Sequence, residues 1–298
     1  MQDKYAPIIL FTYNRFEETK QTVAALQANF LAKESELFIF SDAAKDKAGI
    51  EKIEKVRIYL NTITGFKSVT IFESKRNKGL ANSIIDGVSQ ILEQYETAIV
   101  LEDDLVSSPN FLDFMNQGLS FYKMDSNIFS ISGYTLDLHS LKKSTKDYYY
   151  GYRASSWGWG LWANRWQQIG WCDDNYQGLL NDKQLQKKFN RGGSDMSNML
   201  KKQLNGQIDS WAIRFCYHQF IHQLKTVFPT SSKINSIGFG DNATHTSGTK
   251  RFITKLDSSL ERTFFFEQYD EMDQQLVKEF ANKFSIKTRL IDKLKQQF

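Results

Sequence analysis

The sequence predicts an α/β fold, with a mostly parallel central sheet flanked by helices and a less regular C-terminal half. Three observations predict it. Apolar runs of strand length alternate with helix-period apolar patterns from Ile8 to Glu102. Three consecutive carboxylates close that alternation. Beyond them the regular pattern gives way to aromatic, glycine-bearing and polar stretches.

The elements follow in order. Ile8–Phe11 is a short continuous apolar run, as a strand buried on both faces requires. From Phe16 to Phe30 the period becomes helical. Glu36–Ser41 is strand-like, Ile50–Leu60 helical and Val69–Phe72 a third strand. Ile84, Ile85, Val88, Ile91, Leu92 and Tyr95 recur as one face of a core-facing helix. Ala98–Leu101 is the fourth strand. Farther on, Asn110–Tyr122 reads as a helix and Ile128–Ser132 as a strand. Tyr148–Trp166 is crowded with aromatics and glycines, Asp174–Asn205 is helical in pieces, and Gly238–Thr249 is a loop without periodicity. The organisation expected is a ligand-binding half over 1–108, a second half over 109–250 and a helical extension over 251–298, with no clean linker between them.

Composition bounds the function. With 298 residues, the chain can form one large domain or two intimately packed ones. Hydrophobic and charged fractions of 41% and 24% are those of a soluble globular protein. A net charge of +4, dispersed along the chain, argues against nucleic acid as a partner. Cys172 and Cys216 are the two cysteines, and the polar start Met1–Pro7 carries no secretory apolar segment. Reduced thiols and a cytoplasmic location are therefore expected. No apolar run approaches the roughly 20 residues that span a bilayer. In the last eighteen residues, Ile286, Leu290, Ile291, Leu294 and Phe298 share an arc beside Arg289 and Lys293. That arc fits a peripheral anchor on an anionic inner leaflet, and equally a helix docked on the protein's own body.

The chemistry concentrates at Glu102-Asp103-Asp104. Ligands of parallel α/β sheets bind outside the carboxyl ends of the strands, and three adjacent carboxylates there repel one another unless a cation or donors neutralise them. Manganese or magnesium suits such oxygens and commonly shares them with substrate phosphates. The same residues would also serve as caps of a following helix. Other strand ends belong on this rim: Thr12-Tyr13-Asn14-Arg15, Ser41-Asp42, and Lys75 to Leu80. Arg15 and Arg76 are candidates to pair with phosphates, Asp42 to accept from a ribose or base, and Gly79 to let backbone approach a ligand.

Together Ile8–Arg15, Phe40-Ser41-Asp42, Asn77-x-Gly79-Leu80-Ala81 and Leu101–Asp104 resemble the GT-A (Rossmann-like) glycosyltransferases. The likeness covers about residues 6–245 and extends to the N-acetylglucosaminyltransferase that initiates N-glycan branching and to bacterial family-2-like surface-polysaccharide transferases. The resemblance implies transfer of a hexosyl or N-acetylhexosaminyl unit from a nucleotide sugar, UDP-linked, to a glycan, lipid-linked or protein-linked acceptor. Thr12, Asn14, Arg15 and Asp42 would hold the nucleotide, Asp104 the metal, and Glu102 and Asp103 the donor sugar and ribose. Ser156–Trp162, with Trp159 at its centre, would shape the sugar pocket. Ser236–His245 would close over the diphosphate, with Ser236 and His245 as contacts. Asp209, before Trp211, would be the catalytic base of an inverting displacement. Here the chain departs from the branching enzyme: Ile208 and Ser210 flank Asp209 where that enzyme has an aromatic residue and a second acid.

Read without the resemblance, Asp209 is equally a helix N-cap before an apolar run. Trp157, Trp159 and Trp162 suit sugar stacking or core packing, and at least one is expected in the core. His218 and His222 read as structural. Two other readings stay open: a sugar nucleotidyltransferase, disfavoured because Tyr13–Glu17 lacks a glycine-rich phosphate loop, and a noncatalytic carbohydrate-binding protein of the same fold.

Overall fold

The computed structural model describes residues 5–171, 176–238 and 251–296. Its first half builds the expected alternation: β1 (Ile8–Thr12), α1 (Phe16–Gln27), β2 (Glu36–Ser41), α2 (Ile50–Leu60), β3 (Ser68–Glu73), α3 (Leu80–Leu92) and β4 (Thr97–Glu102). Then follow β5 (Leu105–Ser107), α4 (Phe111–Phe121), β6 (Ile128–Ser132), β7 (Tyr148–Gly151), β8 (Trp159–Trp162) and α5 (Ala163–Trp166). The remainder is α6 (Tyr176–Asn181), α7 (Lys183–Phe189), α8 (Met196–Leu204), α9 (Trp211–Ile221), β9 (Lys225–Pro229), β10 (Ile234–Ser236), α10 (Gln274–Lys283) and α11 (Ile286–Gln296).

One sheet of order β3-β2-β1-β4-β8-β6-β9-β7 crosses both expected halves. The strands β3, β2, β1, β4, β6 and β9 run one way, and β8 and β7 run against them. Thus the carboxyl ends of six strands share one edge. This is the mostly parallel, helix-flanked sheet of the GT-A fold. The extension after residue 250 is helical only from Gln274; before that, Phe264 and Phe266 pack against Phe114 of α4.

Side-chain alternation explains the layers. Ile8, Ile9, Leu10, Ile99 and Leu101 are fully buried because β1 and β4 sit mid-sheet with apolar cover on both faces. On β8, Trp159 packs against Trp211 and Phe215 of α9, while the site of a Cβ on its neighbour Gly160 faces Met115 and Leu119 of α4. Successive strand residues point to opposite faces, so α9 and α4 cover opposite sides of the sheet. The apolar face of α3 lies inward as its period requires, burying Ile84, Val88, Ile91 and Leu92.

The apolar arc of α11 is not docked. Ile286, Leu290 and Leu294 are 62%, 58% and 58% exposed, while Asp292 pairs with Arg251 at 2.9 Å and ties the helix to the body. No helix among the described residues is long and apolar enough to cross a membrane. His245, Cys172 and Phe298 lie outside the described residues.

Candidate active site

The acidic triplet stands where the sheet's register puts it. Phe11 pairs with Glu102, Thr12 with Ser41 and Ser41 with Glu73, so four strands end at one level. After Glu102 the chain turns through Asp103 and Asp104 into β5, which pairs antiparallel with β10. Thr22 of α1 is buried against that turn, donating to the Asp103 carbonyl at 2.9 Å and accepting from the Leu105 N–H at 3.1 Å.

Arg15 closes the turn from the β1 side. Its Nη2 donates to Asp103 at 2.5 Å and its Nη1 to Asp104 at 2.8 Å, while the Tyr13 N–H donates to the other Asp103 oxygen at 3.0 Å. Burial alone would lower the pKa of this guanidinium. Attraction to Asp103 and Asp104, with the hydrogen bonds to both, outweighs that effect and holds it charged. The phosphate-binding group expected at Arg15 is thus engaged by the triplet in this state of the protein.

Three carboxyls against one guanidinium leave the turn short of positive charge. Desolvation pushes Glu102 up to about 8, with repulsion from Asp104 and Asp103 adding and Arg15 opposing. Burial raises Asp103 to about 6 against the pull of Arg15. The raised proton affinity of Glu102 is how the turn limits its own charge. Among the described residues no three His, Cys, Asp or Glu side chains are grouped to hold a metal unaided. The donor set fits instead a hard divalent ion that takes one or two carboxylates here and its other ligands from a diphosphate.

Gly238 completes this side. The Ile237 N–H donates to the Asp104 carbonyl at 2.9 Å, the Gly238 N–H to Ser236 Oγ at 3.2 Å, and a Cβ on Gly238 would stand 2.0 Å from Asp104 Oδ2. With a Cβ at this position the Asp104 carboxylate would have to shift. Ser236, 6% exposed, is spent on that turn.

The strand-two acid is held by the loops around it. Both oxygens of Asp42 are taken by protein donors: the Ala43, Lys78 and Gly79 N–H groups and Asn77 Nδ2, all within 3.1 Å. The carboxylate pins the 77–79 loop to the end of β2. Gly79 sits at φ 75° ahead of α3, a left-handed conformation that favours glycine, and the space around it is open. Arg76 is exposed beside it. Thr12 is buried, its carbonyl accepting from the Asp42 N–H, while Asn14 is partly exposed on the rim.

Arg57 is a positioning residue the sequence reading passed over. From the last turn of α2 it donates to Ser41 Oγ and to the Ser41 and Ser74 carbonyls, and it meets Glu73 at 3.3 Å, clamping the ends of β2 and β3. An arginine on a helix flanking a sheet edge is the only signal of this. Thr22 gave none.

On the far side of β4, α9 begins at the same edge, because Trp211 stacks on Trp159 and Trp159 is in register with Val100. The N-cap is Ser210, whose Oγ accepts from the Ile213 N–H, so capping does not need Asp209. The Asp209 side chain is 55% exposed and accepts from Arg214 Nη2 at 2.9 Å; Arg214 is itself held by the Ser210 and Trp171 carbonyls. Trp159 corrects an expectation: it is 2% exposed, packed between Trp166 and Trp211, and offers no ring face to a sugar. Trp162 is core as well, and Trp157 alone of the three keeps partial exposure.

The profile of the family described as Glycosyl transferase family 2 matches residues 8–171, more than half of the chain. No curated protein matches the sequence. Among solved structures, the chain is similar to the mannosyltransferase PcManGT from Pyrobaculum calidifontis in complex with GDP-Man and Mn2+. That likeness has 9% identity and a TM-score of 0.42, over 72% of this chain and 70% of that one. It is also similar to TarS of S. aureus, at 14% identity and a TM-score of 0.34, over 53% of this chain and 28% of the other.

Proposed function

The chain belongs to glycosyl transferase family 2, and we propose that it is a metal-assisted, inverting enzyme taking a hexosyl or N-acetylhexosaminyl unit from a nucleoside diphosphate. The expected carrier is UDP, and the acceptor is a hydroxyl of a glycan, lipid-linked or protein-linked, in surface-glycan synthesis. The observation that supports this best is the Arg15–Asp103–Asp104 cluster at the end of β4, a partly buried acidic turn short of positive charge.

Asp104, with Asp103 behind it, would hold manganese or magnesium. When bound, the ion neutralises charge building on the diphosphate as the sugar leaves. The chain's own groups do the rest. Arg15, anchored on the same two carboxylates, is positioned to share its N–H groups with diphosphate oxygens. Asp42 and Arg57 fix the loops on either side of the nucleotide, and Gly79 and Gly238 keep the backbone close to it.

Asp209 accepts the proton of the acceptor hydroxyl as that oxygen bonds to the anomeric carbon. The bond from that carbon to the diphosphate oxygen breaks in the same step, with inversion. Arg214 orients the Asp209 carboxylate. Retention would call for a second carboxylate acting as nucleophile beneath the sugar. The exposed arc of α11, with Lys287 and Arg289 on the same helix, supports a peripheral contact with an anionic membrane.

The test is release of nucleoside diphosphate from UDP-sugars in the presence of manganese. Turnover that is lost with chelator and with Asp104→Ala is expected; turnover indifferent to both contradicts the reading.

A further inference from the structure

A cleft of about 620 Å3 opens at the sheet edge that also carries the acidic turn, and it is not used by the donor-site reading. Its walls come from the segment after β6, the segment after β9, and residues 253–255. The sheet fixes its place. Ser132, the last residue of β6, is in register with Trp159, and Trp159 with Val100 of β4. Strands β6 and β4 therefore end at the same edge. The chain also joins the two: Thr230–Ser232 line the cleft, and β10, just beyond them, pairs Ser236 with Leu105 directly after the acidic turn. Strands β6 and β4 stand two places apart in the sheet, which separates their ends by about 10 Å. A single sugar ring cannot bridge that distance, whereas a short oligosaccharide can.

The lining suits such a chain. Asp137, Ser231, Thr254 and Lys255 offer donors and acceptors, and Leu141 and Ile253 add apolar surface for the C–H faces of sugar rings. Trp157, partly exposed, is held by Tyr134 at 4.5 Å and Phe252 at 6.1 Å between ring centroids, the residues immediately before two of the cleft walls. Tyr134 in turn donates from its hydroxyl to the Phe252 carbonyl at 2.7 Å, so the two walls are tied together at their base. The volume falls in the usual range of about 300–1,000 Å3 for sites that enclose a small ligand.

We propose that this cleft binds the acceptor beyond its reacting unit, so that the enzyme elongates an oligosaccharide and does not glycosylate a lone sugar. The proposal rests on the transferase reading. The reacting hydroxyl sits at the acidic turn, and the following units of the acceptor extend along the sheet edge into the cleft.

The experiment uses the full chain, the nucleotide sugar it hydrolyses, and methyl glycosides of glucose, galactose, mannose and N-acetylglucosamine as mono-, di- and trisaccharides. In at least one series, kcat/KM for the trisaccharide should exceed that for the monosaccharide tenfold or more. Thr254→Trp and Ser231→Trp, which fill the cleft from different walls, should each bring that ratio to within twofold of unity. Donor hydrolysis by each variant reports that it is folded, and two variants guard against one failing. Equal use of all lengths in every series overturns the proposal, as does a ratio that survives both substitutions. Wild-type protein that hydrolyses no nucleotide sugar fails at the donor site instead, and overturns the transferase reading on which the cleft assignment stands.

Discussion

Trp211 stacks on Trp159 with ring centroids 4.8 Å apart, and that contact fixes the helix following Asp209 against the strand beside the acidic one. Two aromatic rings more than fifty positions apart in the sequence thereby bring a candidate base to the edge of the sheet that carries the triplet. Trp159→Ala should cost about 3–5 kcal/mol, the range for emptying a large aromatic site in a core. Urea denaturation measures this. A loss below about 1 kcal/mol would mean that the ring is not the core element described.

Asp209→Asn should separate chemistry from stability. Its side chain is exposed and Ser210 does the capping, so the urea midpoint should hardly move. Turnover should fall about 10²–10⁴-fold, the usual share of a general base, with KM for the nucleotide sugar little changed. Ser210→Ala is the converse control, costing about 1 kcal/mol of stability as a lost N-cap. Full activity in Asp209→Asn would remove the residue from the mechanism.

The acidic turn predicts a pH effect on stability in chelator. Glu102 rises from 4.5 in the unfolded chain to about 8 when folded, so the native state binds its proton more tightly. Stability from this group is complete below pH 4.5 and is lost as the pH climbs towards 8. Thermal midpoints across that window should fall in the wild type and fall less in Glu102→Gln. Parallel curves for the two proteins would show that burial does not hold Glu102 protonated.

If the arc of α11 meets an anionic surface, removing residues 286–298 should abolish sedimentation with vesicles containing phosphatidylglycerol, and high salt should weaken binding of the whole chain. Equal sedimentation with and without the helix would exclude it as the anchor.

How much of this the sequence disclosed depends on how local each cause is. The face of α3 could be read because Ile84, Val88 and Ile91 mark one side of a helix whatever surrounds them. The triplet could be placed because a buried strand precedes it directly. The loop contacts of Asp42 could not be read in the same way, because the N–H groups of Lys78 and Gly79 that fold onto its carboxylate lie thirty-six and thirty-seven positions on. The burial of Trp159 is hidden for the same reason, since α9 supplies its cover. The place of β8 between β4 and β6 was equally hidden, because Gly160 and the tryptophans carry no alternating pattern and the register comes from partners on both sides.

The most direct test of the central claim is a thermal shift with UDP, GDP, CMP and dTDP, each with and without manganese, on the wild type and Asp104→Ala. Binding to the native state raises the midpoint by mass action. A rise with one nucleoside diphosphate, dependent on manganese and lost in Asp104→Ala, is the predicted result. No rise with any of them, or a rise that Asp104→Ala leaves intact, would contradict a metal-assisted nucleotide-sugar site at the end of β4.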